Sequence, residues 1–255
     1  MNRLKVILHH RQDQTKQNIK ITMNSILQKI LDWSEVWALL IPLAILLWKS
    51  PKAAYLKPVK LYVFIFLLIN LGIDLIAEFK LKWGLTPEDF LWNNNFLYNI
   101  GSIIRLLLFS WFFILLNQRF MHRVKWILPF AFMAFVIINF TFFEKLIPQG
   151  DYEAFSSRLL ATEAALLLFL CLQYFIYLII EDKHTHLKRA LGFWIVTGLS
   201  IYVGANFFIY LFYEYLIHKT MNFAINIWDV HNIVFIIFCI FIAIQFHMEN
   251  KKQAT

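Results

Sequence analysis

The chain has 255 residues, of which 60% are hydrophobic, 18% aromatic and only 16% charged, with 27 phenylalanines among them; so little charge cannot cover so much apolar side chain in a soluble domain of this length. Glycine and proline are sparse and no period-two alternation runs through the sequence, so long helices are predicted and an outer-membrane barrel is excluded. The net charge of +8 sits in short clusters between apolar runs, which argues against nucleic acid and for anionic lipid headgroups as its partner.

Residues 1–22, MNRLKVILHHRQDQTKQNIKIT, are polar and basic and lack the apolar core of a cleavable signal peptide. They read as a disordered tail or as an extension ahead of a more natural start at Met23, with His9 and His10 solvated. Stretches near 20 residues, the length a bilayer core of about 30 Å requires, then follow at 33–49, 59–78, 96–116, 124–143, 159–180, 190–213 and 224–246. Each is bounded by charge or turn residues, such as Lys49 with Pro51, the 84–89 segment, and Pro148 with Gly150. Span one is the shortest and is expected to begin further back, in the amphipathic run 26–31. Thr86-Pro87-Glu88-Asp89 has the cap, proline and acid order of a helix start, and predicts a small surface helix over the bundle. Pro42 and Pro129 are expected to kink spans one and four. Cys171 and Cys239 lie in apolar runs and read as packing residues. The predicted fold is therefore all-α: one polytopic membrane bundle of seven transmembrane helices over 23–250, with 251–255 as a short tail.

Lysines and arginines set the expected orientation. Twelve fall in the loops on one side, among them Lys49, Lys52, Arg119, Arg123, Lys183, Lys188 and Lys252, against five on the other: Lys80, Lys82, Lys145, Arg158 and Lys219. This puts the C-terminus in the cytoplasm and the N-terminus outside, in the inner (plasma) membrane. Six basic residues at the N-terminus oppose the assignment, and a start at Met23 would remove five of them.

Mapped on this topology, the ionisable residues gather in the outer half. Span two leaves through Asn70, Asp74 and Glu78, span three enters through Asn99, Ser102 and Arg105, and span five passes Glu163. Span six leaves through Tyr202, Asn206, Tyr210 and Glu214, and span seven enters through Asp229, His231 and Asn232. Spacings of three and four place each set on one helix face, and a polar stripe on a spanning helix faces protein or water, because charge in lipid is costly. The expectation is a shared cavity open to the outside, containing Asp74, Asn99, Arg105, Glu163, Asn206, Asp229 and His231. At its floor Arg105 should pair with a carboxylate, Asp74 or the competing Glu163. Glu35, Glu78 and Glu214 lie near the interface and are expected to be solvated. The other half offers only Ser110, Gln173, Thr197 and Ser200.

Several chemistries are excluded. Span seven has no lysine for a retinal Schiff base, and one histidine within the spans cannot build a zinc hydrolase; no nucleotide or hydrolase fingerprint occurs. No enzyme activity, metal or cofactor is expected. Paired broken helices and internal repeats, the marks of many transporters, are absent.

The layout, with SEVWALLIPL, LKPV, FWIVTGLSIYVGANFFIYLF and WDVHNIVFIIFCIFIAIQF, resembles a group of uncharacterised bacterial seven-helix membrane proteins. These look similar to the membrane sensor modules found beside, or fused to, signalling kinases. The resemblance implies a receptor-like module that binds a small ligand and relays it through helix movement. The end HMENKKQAT is too short for an output domain, so the signal would pass to a separate cytoplasmic protein. Acids outnumber bases among the cavity residues, so a cation, a polar neutral molecule or a proton is the expected ligand. A transporter and a ligand-free scaffold are the alternatives.

Overall fold

A computed structural model describes residues 26–80, 82–86, 89, 94–144, 156–180, 190–219 and 221–252, and the side chains of 214 and 216–226 lie outside it. The expectations for the 1–22 tail and the end of the chain fall outside the described residues. Of the 86–89 segment, Thr86 and Asp89 are tied reciprocally: the Thr86 amide donates to Asp89 Oδ2 at 2.6 Å and the Asp89 amide to the Thr86 carbonyl at 2.9 Å. Pro87 and Glu88 between them are not described, so the small helix expected there lies outside the described residues.

Every element among the described residues is helical. α1 (Ile26–Asp32) meets α2 (Ser34–Trp48) at a 62° bend. A 3-10 turn, Ala54–Leu56, leads into α3 (Lys57–Phe79), whose Pro58 sits at the start, where its missing N–H costs no helical bond. α4 (Asn95–Leu115) and α5 (His122–Ile138) follow, and α5 closes in a π-helical turn, Asn139–Phe143. α6 (Ser157–Ile180), α7 (Phe193–Lys219) and α8 (Met221–Lys252) complete the chain. Both α2 and α5 continue through their prolines, and the sharp bend falls at Trp33.

Six of the helices are long and apolar enough to cross a membrane, and a seventh span exists when α1 and α2 are counted together. Burial is inverted relative to a soluble protein. Leu68, Phe130, Phe142 and Ile179 are 70–76% exposed, whereas Asn99, Glu163 and Asn206 are 1% exposed. An apolar exterior that shelters charged and polar groups within an otherwise apolar core is suited to lipid, and the chain is accordingly a multi-pass membrane bundle.

Helix neighbours close a ring: α2 on α3, α3 on α4, α4 on α6, α6 on α7, α7 on α8, and α8 back on α2, with α5 outside against α4. Its centre is aromatic. Tyr62, Phe109 and Phe238 pack with ring centroids 5.0–5.9 Å apart, and Tyr202 stacks on Phe238 at 5.4 Å. Gly198 permits the close α7–α8 approach, since a Cβ there would lie 2.6 Å from Phe241 Cβ. Gly192, at φ +76°, opens α7 in a left-handed conformation that glycine adopts freely, and a Cβ would meet Phe112 at 2.9 Å.

Candidate functional site

The ring brings together, at the end where α2 begins, side chains that lie up to 196 positions apart in sequence. On α4, Arg105 lies one helical face below Asn99 and Ser102, 7% exposed. Its guanidinium meets Glu163 of α6 two-pronged, Nε donating to Oε1 and Nη2 to Oε2 at 2.7 Å, and Nη1 donates to the Tyr202 hydroxyl of α7 at 2.9 Å. The rings of Phe66 and Tyr202 lie 5.6 and 5.4 Å from the guanidinium carbon. Each guanidinium nitrogen thereby donates one hydrogen bond, two of them to a carboxylate, which is the pairing a buried arginine needs. Asp74, the other expected partner, does not reach it. Although α3 is also a neighbour of α4, Asp74 lies in the groove that α3 forms with α1 and is turned away from Arg105.

A second buried pair joins α2 to α8. Glu35, 5% exposed, places Oε1 2.9 Å from His231 Nε2. On the other side of the imidazole, Nδ1 contacts Asn206 Oδ1 and lies 3.3 Å from the Tyr210 hydroxyl. The amide of Asn206 donates from Nδ2 to the Tyr202 carbonyl at 2.8 Å, which fixes its oxygen toward the histidine and makes Nδ1 the donor. One chain of contacts therefore runs from Glu163 through Arg105, Tyr202, Asn206 and His231 to Glu35. Trp228 stacks flat on the imidazole, centroids 4.6 Å apart at 17°, and Asn70 Nδ2 donates to the Glu35 carbonyl at 3.0 Å.

Glu35 was expected to be solvated at the interface and is instead buried and paired. The bend at Trp33 folds α1 across the end of the bundle, and Trp37 Nε1 holds the bend by donating to the Ile30 carbonyl at 2.8 Å. The signal for it was present: a lone histidine inside a span needs an acceptor. Glu78 is exposed, as expected, with Lys29 Nζ 3.3 Å away.

Two spaces adjoin this chain. A void of about 20 Å³ is bordered by Glu35, Asn70, Arg105, Tyr202, Tyr210 and His231, room for about one water. Between α1 and α3 lies a groove of about 560 Å³ lined by Gln28, Lys29, Asp32, Trp33, Asp74 and Glu78. Asp74 Oδ2 is buried there without a hydrogen-bond partner among the described residues. Asp229 sits at the rim, its Oδ1 accepting from Gln28 at 3.0 Å. Asn99 belongs to neither space: its Oδ1 accepts the Ser156 amide at 2.9 Å and anchors the start of α6. Of the seven expected cavity residues, then, Arg105, Glu163, Asn206 and His231 form one network, Asp74 and Asp229 stand above it, and Asn99 is structural.

The opposite end is less bare than expected. Thr197 and Ser200 bond within their own helix, but Tyr55, Gln245, Glu249 and Asn250 make a further buried layer. Among the described residues, no group of three His, Cys, Asp or Glu side chains is placed to hold a metal ion.

Compared with family models, with curated proteins and with the solved structures, the chain matches none.

Proposed function

We propose that this protein is a receptor-like module of seven spans in the inner (plasma) membrane, N-terminus outside and C-terminus in the cytoplasm, that binds a small cation at the Glu35 end. Helix movement would relay occupancy to a separate cytoplasmic protein at the Glu249 end. The observation that carries this reading is that the pairs buried on both sides, Arg105 with Glu163 and His231 with Glu35, lie at one end, whereas buried Lys125 meets neutral Gln118 and Glu249 meets the half-exposed Lys252. Arginine, histidine and two glutamates from four helices meet under an acid-lined groove at one end. Between His231 and Gln245 on α8, about 21 Å at 1.5 Å per residue, the interior is Phe235, Phe238 and Ile242. Such a plug transmits a push but conducts no polar solute, which favours a receptor over a transporter.

The reading is tested with the full chain in liposomes, spin-labelled at exposed Lys57→Cys and Lys251→Cys, while the external medium is stepped in pH or given a small amine. A shift in the label-to-label distance without cation entry supports the receptor. Cation entry that follows the outward gradient makes it a transporter, and an unchanged distance leaves a scaffold. Orientation is read separately: a membrane-impermeant thiol reagent added to intact cells should label Lys29→Cys and spare Lys251→Cys.

A further inference from the structure

We infer that the cation bound at this end is the proton, taken up by the Glu35–His231 pair from the groove above it. The inference rests on the receptor reading for its meaning but on separate geometry for its support.

Size comes first. The void beside the pair, about 20 Å³, admits about one water, and no organic ammonium fits without repacking Phe66, Tyr202 and Phe235 around it. Valence comes second. Arg105 has its donors committed to Glu163 and Tyr202, Asn206 has both ends of its amide committed, and His231 Nδ1 is committed to Asn206. The contact left for chemistry is His231 Nε2 against Glu35 Oε1 at 2.9 Å, and both of these atoms can carry a hydrogen. With one proton between them the pair has no net charge, His231 an imidazolium donating from Nε2 and Glu35 a carboxylate accepting it. A second proton, delivered as hydronium from the groove, forms one O–H bond on Glu35 and leaves His231 an imidazolium, a net charge of +1.

The surroundings decide whether that charge is tolerated. From α4 and α6, Arg105 and Glu163 cancel each other. From α1 and α3, Asp32 and Asp74 line the groove above the pair with no cationic partner among the described residues, while Lys29 is taken by Glu78. From α8, Asp229 accepts only from Gln28. The hydroxyls and thiol that complete the surroundings, Tyr98, Tyr202, Tyr210, Tyr213 and Cys239, are neutral. Trp228 presents its ring face to His231, and an indole face attracts an imidazolium. The local balance is negative above the pair and neutral below it, which favours gain of a proton over loss of one.

The experiment is an infrared difference spectrum, acid minus neutral, of the full chain in nanodiscs. A carboxylic-acid C=O band should appear on acidification and be lost in Glu35→Gln, while the bands from Asp32, Asp74 and Asp229 persist. Glu35→Asp should move the band without abolishing it, which keeps the test valid if the amide variant folds poorly. A band that survives in Glu35→Gln, or a wild-type spectrum with no Glu35 band on acidification, overturns the assignment. A Glu35 band that titrates while the labels at the Glu249 end stay still leaves the proton site standing and sinks the receptor reading instead.

Discussion

The two ends of the bundle both bury polar side chains, and they do it differently. At the Glu249 end the carboxylate has a half-exposed cation, Lys252 Nζ at 3.2 Å, and the buried partners are neutral groups or backbone. Tyr55 donates to Glu249 Oε2 at 3.2 Å, Gln245 Nε2 donates to the Tyr55 hydroxyl at 3.2 Å, and Asn250 Nδ2 donates to the Lys49 carbonyl. Lys49 is the C-cap of α2, so that carbonyl is one of the unpaired groups every helix end leaves. These bonds close the fold where helices stop. At the Glu35 end, Arg105 lies well inside α4, where no backbone group needs it. A charge placed there must be matched by another charge, and leucine would have packed at lower cost. Polar burial that mends helix ends is explained by the fold, and polar burial in mid-helix calls for a function.

The sharpest way to break this contrast is to remove half of the charged pair. Arg105→Ala or Glu163→Gln leaves an uncompensated buried charge and should cost about 3–5 kcal/mol, read as a shift in denaturation by sodium dodecyl sulfate. Replacing both by apolar residues, Arg105→Met with Glu163→Leu, should recover most of that loss. Full stability together with loss of the far-end response would assign the pair to function. If the double variant is instead as unstable as either single one, the pair is structural and the contrast fails.

A smaller effect is expected between the two ends. Gly198→Ala places a methyl 2.6 Å from Phe241 Cβ and should cost about 1–3 kcal/mol by overpacking. Because α7 and α8 carry residues of both layers, it should weaken thiol protection at Cys239 as well as lower the unfolding temperature. Smaller again is Tyr55→Phe, which removes one hydroxyl from the Glu249 end. The loss should be about 1 kcal/mol, with no change in the Glu35 infrared band.

The sequence makes depth legible and azimuth not. A polar residue within an apolar run stands out, so the stripes on α4, α7 and α8 and the burial of Arg105, Asn206 and His231 could be read directly from spacing. The choice of Glu163 over Asp74 could not, because α4 lies against both α3 and α6, and hydropathy carries no record of which way each carboxylate faces. Glu35 was misjudged for a related reason: counting residues from the span's end makes it interfacial, whereas the bend at Trp33 brings α1 over it. Asn99 reads as a cavity residue by depth, and only the approach of Ser156 turns it into an anchor for α6. The layer at the Glu249 end was overlooked because Gln245 and Glu249 close an apolar run and look like its solvated boundary.

The least effect is expected at the surface of the same end. Lys29 and Glu78 are 3.3 Å apart with side chains 66% and 39% exposed, and pairs of this kind contribute a few tenths of a kcal/mol at most, about 0–1 kcal/mol in general. Lys29→Ala should therefore leave the unfolding transition in place and should remove what little dependence on salt the α1–α3 contact has. Its value lies in position, because Lys29 lines the groove and holds α1 against α3. Losing it exposes Glu78 and widens the mouth above Asp74 without touching the buried chain. If the groove admits the proton, Lys29→Ala should quicken hydrogen–deuterium exchange at the His231 ring and leave the Glu35 band where it was. Exchange that is unchanged would mean that protons reach the pair by another route, and the groove would then be only a surface feature.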